Sequence, residues 1–192
     1  GALSEVDMRL RPGGESGLLV SSLNAFARYQ EQEAWTWEHQ ALVRARALTG
    51  CAELTQRFYQ VRLDNLARQR QLSLLREDVS QMRAKMRNSH GTAMTQGGLA
   101  GNAFSAEVNF DLKQDAGGIV DLEFMVQYAV LAWSRQHPQL VTYTDNIRIL
   151  DSLGAAKLLS MHDVHMLQEA YKAYRAAAHR LALQKQRGVV GG

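Results

Sequence analysis

Apolar and polar positions follow two different periods along this chain, and the change of period marks its organisation. Residues 3–11 alternate loosely, with Leu3, Val6, Met8 and Leu10 apolar, until Pro12-Gly13-Gly14 forces a turn. Leu18-Leu19-Val20 is a second apolar run. Together these predict a strand, a loop and a second short strand. From Ser22 onward the spacing shifts to three and four. Ser22 can cap a helix starting near Leu23 and continuing through Phe26 and Tyr29. Trp35, Ala41, Leu42 and Ala45 give a helix between Trp35 and Leu48 one buried face.

Residues 52–87 hold neither proline nor glycine. Leu72, Leu75, Val79, Met82 and Met86 form a seam on one helix face, and the polar stretch Asp64–Gln71 before it predicts a bend or break. A glycine-rich segment, 88–105, reads as a long mobile loop. Val108, Phe110 and Leu112 give a short strand signal that stops at Gly117-Gly118. Ile119 to Trp133 is apolar almost all round, which requires burial on most sides. Thr144 can cap a helix through Leu153. Ser160 with Asp163 opens the last helix, whose Val164, Leu167, Tyr171, Tyr174, Ala178 and Leu181 again step by threes and fours. At least four substantial helices pack together, so the expected fold is mainly α, a helical bundle with a small β portion.

Composition narrows the class. The 192 residues are 46% hydrophobic, which excludes intrinsic disorder. No run reaches the roughly 20 consecutive apolar residues of a membrane span, so no membrane partner is expected. The single Cys51 cannot form an internal disulfide and fits a reducing, cytoplasmic setting. No leader peptide is visible, and both ends read as cuts through a longer protein.

The net charge of +3 is unevenly placed: residues 51–90 carry eight basic side chains against four acidic. Such a cluster suits either phosphate contacts with nucleic acid or a helix with a solvated basic face. Only Phe58 and Tyr59 interleave with the arginines, so base stacking lacks support and no nucleic-acid partner is expected.

Among candidate residues, Asp7, Arg9 and Arg11 alternate in a strand-like segment, so they share one face. There a carboxylate can hold a metal while two guanidinium groups meet phosphate; a charged sheet edge reads the same way. Asp121 and Glu123 lie in the first turns of the buried helix, where carboxylates complement the helix dipole without any catalysis. Glu38-His39 is open to acid–base work or to packing. His162 and His165, at i and i+3, lack a third clustered ligand. Cys51 has no triad partner, and segment 88–105 lacks the Gly-Lys-Ser/Thr ending of a phosphate loop.

Several longer strings carry more information. E-V-D-M-R-L-R-P-G-G-E-S-G-L-L-V (5–20), A-W-T-W-E-H-Q-A-L-V-R-A-R (34–46), F-D-L-K-Q-D-A-G-G-I-V-D-L-E-F (110–124), T-D-N-I-R-I-L (144–150) and A-Y-R-A-A-A-H-R-L-A-L-Q (173–184) occur in that order. They resemble the glutamine synthetase adenylyltransferase family over nearly the whole chain. That family pairs a half that adds AMP to glutamine synthetase with a half that removes it. W-E-H-Q-A at Trp37–Ala41, where the removing half typically reads W-E-R-Y-A, and T-D-N-I-R-I-L resemble the adding, C-terminal half.

The resemblance implies that residues 1–50 end a β-polymerase-like nucleotidyltransferase domain and that 51–192 form a helical domain packed on it. It implies ATP as substrate, Mg²⁺ as cofactor, and a tyrosine of glutamine synthetase as acceptor, in the regulation of nitrogen assimilation. Asp7 would be the third carboxylate, a metal ligand or the base that draws the tyrosine proton. Arg9 and Arg11 would contact triphosphate, with Lys113, Asp121 and Glu123 reaching the cleft from the helical side. The family's first two metal carboxylates stand in an upstream Asp-x-Asp motif, and no Asp-x-Asp occurs here. The chain alone is therefore expected to be inactive. The alternative is a regulatory module that binds the PII signal protein or glutamine synthetase, with glutamine as effector.

Overall fold

A computed structural model describes residues 21–90 and 111–187. Seven α-helices and one short 3-10 helix make up the described residues: α1 (Leu23–Gln32), α2 (Thr36–Val43), α3 (Ala52–Leu66), α4 (Leu72–His90), α5 (Ile119–Trp133), the 3-10 helix (Pro138–Val141), α6 (Asn146–Ala155) and α7 (Met161–Arg187). The mainly α class is as the periodicity predicts. The expected β portion is not seen among the described residues, because residues 3–20, Val108 and Phe110 lie outside them. Leu112, expected in a strand, sits in a turn.

The helix starts follow local chemistry. Ser22 Oγ accepts the Ala25 amide at 3.2 Å and caps α1. Glu38 reaches back to the Trp35 amide at 2.9 Å, half of a capping box for α2. The cap of α6 is Asp145, which accepts the Arg148 amide at 3.0 Å, rather than the neighbouring Thr144. Ser160 Oγ accepts the Asp163 amide at 3.1 Å and opens α7. The expected break falls between Leu66 and Leu72. Arg70 closes α3 there by donating to Asn65 O at 2.7 Å and Leu66 O at 2.9 Å. Burial, with the like charge of Arg68, lowers the Arg70 guanidinium to about 10.

Two boundaries differ from expectation. Asn88–His90, expected to open the loop at 88–105, continue α4, and the rest of that loop lies outside the described residues. The helix expected through Leu48 stops at Val43 because its last carbonyls are taken by another helix. Arg62 of α3, 2% exposed, donates to Val43 O at 2.6 Å, Leu42 O at 3.1 Å and Tyr143 O at 3.3 Å, and also to Val141 O. One guanidinium thus closes the C-terminal ends of α2 and of the 3-10 helix, where the helix dipoles favour a cation. Its pKa lies below the ordinary arginine value because of burial.

Helix α5 is the hub. It touches α2, α4, α6, α7 and the 3-10 helix, which is why its sequence is apolar all round. Val126 and Val130 are fully buried, with Leu131 at 2%, and they join Val43, Leu66, Leu140, Ile149, Leu150, Leu153 and Val164 in one core. Each such side chain contributes about 1.5–3 kcal/mol relative to exposure. The α4 seam is buried at Leu75 and Val79, but Leu72 stays exposed; likewise α7 buries Val164 and Tyr171 while Leu181 faces solvent. Gly154 lets α7 approach α6: a Cβ there would stand 2.9 Å from Met161 Sδ. Helices α1 and α2 pack on α3, and α2 also on α4 and α5, so residues 23–43 belong to the bundle's packing. No helix among the described residues is long and apolar enough to cross a membrane.

Replacing Arg62 with Met keeps most of the stem but leaves four carbonyls without their donor. Arg62→Met is expected to destabilise folding by roughly 3 kcal/mol or more, read as a lower urea midpoint. A midpoint within a few tenths of wild type would mean that water replaces the guanidinium at no cost.

Candidate functional site

The turn at 111–118 and the start of α5 hold three of the predicted residues, and their geometry follows from local polar contacts. Asp111 Oδ1 accepts the amides of Lys113 at 2.8 Å and Gln114 at 3.1 Å, an Asx-type turn. Asp115 Oδ2 accepts the Asp111 amide at 2.8 Å. Gly117 has φ +83°, a left-handed conformation that favours glycine. A Cβ on Gly118 would stand 2.7 Å from Leu112 O, so the turn closes onto the helix only with glycine there. Lys113 is exposed on this turn.

Asp121 anchors the turn from below. Its Oδ2 accepts the Gly117 amide at 2.6 Å, and its Oδ1 accepts Nε of Arg83 from α4. Arg87 Nη2 reaches both oxygens, at 3.3 and 3.4 Å. Arg83 is 7% exposed and also donates to Gln114 O at 2.6 Å, so it clamps the turn from two sides. Partial burial alone would raise the Asp121 pKa. The Gly117 amide, the Arg83 hydrogen bond and the charges of Arg83 and Arg87 outweigh burial and hold it below the ordinary carboxylate value.

Glu123 faces elsewhere. Two residues on a helix are about 200° apart, so it leaves the opposite side of α5 from Asp121. Its Oε1 accepts Arg44 Nη1 at 2.6 Å and the Tyr171 hydroxyl at 3.2 Å, joining the end of α2 to α7. The structure places Lys113 on the turn that Asp121 anchors from α5, and Glu123 in a separate ion pair. Asp7, Arg9 and Arg11 lie outside the described residues.

The other candidates are accounted for by packing. Glu38 accepts the Tyr29 hydroxyl at 2.7 Å besides capping α2. The buried His39 places Nε2 2.9 Å from Gln30 O; burial, with Arg70 and Arg68 nearby, lowers its pKa against the smaller raising effects of that bond and Glu38. Gln40 donates to Gln127 at 3.1 Å, tying α2 to α5. Cys51 is exposed at the start of α3. No group of three or more His, Cys, Asp or Glu among the described residues could hold a metal ion.

Sequence reasoning missed Arg83 and Arg87 as the partners of Asp121. Their signal was present: 83 and 87 are i,i+4 on α4, beside the apolar seam rather than opposite it. Three of the eight basic residues at 51–90, Arg62, Arg70 and Arg83, turn inward to carbonyls or to Asp121. The basic stretch is therefore in part structural.

The Asp121 latch has a pH signature. A carboxylate with a depressed folded pKa contributes stability above its unfolded value, near 3.9, and loses it as pH falls through the folded value. Asp121→Asn is expected to cost about 2–3 kcal/mol at pH 7, with the difference from wild type shrinking below about pH 4. Chemical denaturation at pH 7, 5 and 3 measures this, and a pH-independent difference would remove the ionic account.

Comparison with known proteins bears on the whole chain. Residues 1–61 match the family model for glutamate-ammonia ligase adenylyltransferase, and residues 80–188 match that for GlnD PII-uridylyltransferase. The chain is 68% identical over its full length to a bifunctional glutamine synthetase adenylyltransferase/adenylyl-removing enzyme of Pseudomonas aeruginosa, covering 20% of that protein. The enzyme of the same name from Pseudomonas syringae pv. tomato is 68% identical over the same share, and that from Hahella chejuensis is 53% identical over 96% of this chain and 18% of its own length. The chain thus spans about one fifth of the length of the curated relatives it matches. With 68% identity over all 192 residues, it belongs to the glutamine synthetase adenylyltransferase family.

Proposed function

We propose that this chain is one wall of the adenylylation site of a longer enzyme, which transfers AMP from ATP to a tyrosine of glutamine synthetase in the cytoplasm. The observation that carries the reading is the 68% identity to a bifunctional glutamine synthetase adenylyltransferase over all 192 residues. In this reading residues 1–50 complete the catalytic domain and 51–192 supply the helical domain, from the adding half of the enzyme.

The tyrosine hydroxyl gives up its proton to a carboxylate base, for which Asp7 is the candidate on this chain, and attacks the α-phosphorus of ATP; a new oxygen–phosphorus bond forms, and pyrophosphate leaves with the electrons of the broken anhydride bond. Asp7 is the carboxylate of the transfer site on this chain, and Arg9 and Arg11 contact the triphosphate as bidentate donors. Lys113 extends the positive charge from the rigid turn at 111–118. Asp121 acts through that turn: its oxygens accept the Gly117 amide, Arg83 and Arg87. Glu123 is likewise engaged by Arg44 and Tyr171. Both carboxylates are engaged by these donors, and no group of three or more His, Cys, Asp or Glu stands around either among the described residues. No step here is therefore routed through a metal held by the described residues. The 192 residues contain no Asp-x-Asp, so the chain by itself is expected to transfer no AMP.

A second reading is favoured by the match of residues 80–188 to a PII-uridylyltransferase, a family named for its action on PII. Under it the helical region receives the PII signal protein, with glutamine as effector, and serves to regulate rather than to catalyse.

The test uses the full-length parent, wild type against Asp7→Asn, with AMP incorporation into glutamine synthetase read as an intact-mass gain in the presence of Mg²⁺ and ATP. The catalytic-wall reading expects a folded variant that loses transfer by orders of magnitude. Normal transfer by Asp7→Asn would make that residue structural and leave the regulatory reading.

A further inference from the structure

Helices α4 and α5 leave an open groove of about 390 Å³ beside the Asp121 latch. Its α4 wall carries Arg76, Ser80, Arg83 and Arg87, at i, i+4, i+7 and i+11. These positions share one helix face, and Arg76 and Arg87 are about 16 Å apart along the axis. The opposite wall is largely apolar, with Phe124 and Met125 from α5 and Tyr128 beside them.

The charge of the groove is unbalanced. One carboxylate, Asp121, faces three guanidinium groups. It is taken up chiefly by the buried Arg83, while Arg87 reaches it only at 3.3–3.4 Å with its side chain 43% exposed. Arg76 is exposed and makes no ion pair or hydrogen bond among the described residues. Arg83 Nη1 is buried without a hydrogen-bond partner among them. The acids of α4 do not help: Asp78 accepts the Thr36 hydroxyl at 2.6 Å, and Glu77 accepts from Gln81 at 3.1 Å. Two solvent-reaching cations thus stand at the ends of a groove whose middle is apolar and already holds one carboxylate.

That distribution argues against a compact polyphosphate. A polyphosphate concentrates its charge over a few ångströms, would meet Asp121 at the centre, and would leave the apolar wall uncovered. An extended peptide spans about 16 Å in five residues, and alternating acidic and apolar side chains answer each part of the groove. We propose that the α4–α5 groove docks an acidic, apolar-alternating segment of a partner protein. Carboxylates of that segment meet Arg76 and Arg87, and an apolar side chain between them covers Phe124 and Met125. The proposal is separable from AMP transfer through Arg76, which has no part in the Asp121 latch; Arg83 and Arg87 enter that reading only as partners of Asp121.

The test is fluorescence anisotropy on the full chain with a fluorescein-labelled hexapeptide, Glu-Leu-Ser-Phe-Glu-Asp, whose central serine presents no charge to Asp121. Binding is expected to weaken with added salt. It is also expected to weaken at least tenfold in the double variant Arg76→Ala/Arg87→Ala and in Arg76→Glu, which breaks no internal contact. Arg180→Ala, exposed on α7, should bind as wild type does. Unchanged melting temperatures establish that the variants are folded. The proposal fails if wild type does not bind, if the Gln/Asn version of the peptide binds equally, or if the groove variants bind as tightly as wild type. Displacement of the peptide by pyrophosphate at concentrations below the peptide's own Kd would also overturn it, by making the groove a phosphate site.

Discussion

A guanidinium sealed inside a protein must be met by oxygen atoms, and among the described residues Arg62 meets four backbone carbonyls and no carboxylate. These carbonyls are not interchangeable acceptors. Leu42 and Val43 end α2, while Val141 and Tyr143 end and follow the 3-10 helix, so each set needed a donor at that point. By answering both, Arg62 fixes where α2 stops and where the chain between α5 and α6 crosses α3. Those two placements bracket α5, and the remaining helices pack around it. Apolar burial supplies most of the stability, but its driving force has no direction of its own. The directional bonds of Arg62 set those two placements.

The same logic shapes the candidate site. Arg83 is a second inward-facing arginine, and it joins α4 to the turn before α5 through Asp121 and Gln114. The exposed Lys113 is displayed on a turn held by Asx bonds, two glycines and this clamp. A rigid turn loses little further freedom when it meets a ligand, which agrees with the part proposed for Lys113 in contacting triphosphate. Glu123, although two positions from Asp121, works for the bundle rather than for that turn, because the helix sends it toward α2 and α7. The Asp121–Glu123 pair is therefore one anchor for the turn and one tie between helices.

Much of the helix pattern was legible in the sequence. Ser22 and Ser160 sit where their capping chemistry predicts, α5 has the bounds that its continuous apolar run implies, and the α3–α4 break falls in the polar stretch before Leu72. The departures lay at the ends of elements. The end of α2 depends on an arginine in another helix. The continuation of α4 through His90 overrode a run of polar residues that reads locally as loop. Thr144 and Asp145 are adjacent cap formers, and only the helix's final register selected the second.

The helical class, the hub helix, the family and the residue types suited to phosphate chemistry are written in the order of residues, because periodicity, capping and long residue strings are properties of the chain in order. What the charged residues do follows from packing alone. An arginine's partner is chosen by which helix packs beside it, and that choice is invisible in spacing along the chain. Three arginines of a stretch that reads as a basic surface turned inward to oxygen acceptors, and Arg76 and Arg87 were left facing the groove. Asp121 and Glu123, one helix turn's fraction apart, were sent to opposite neighbours.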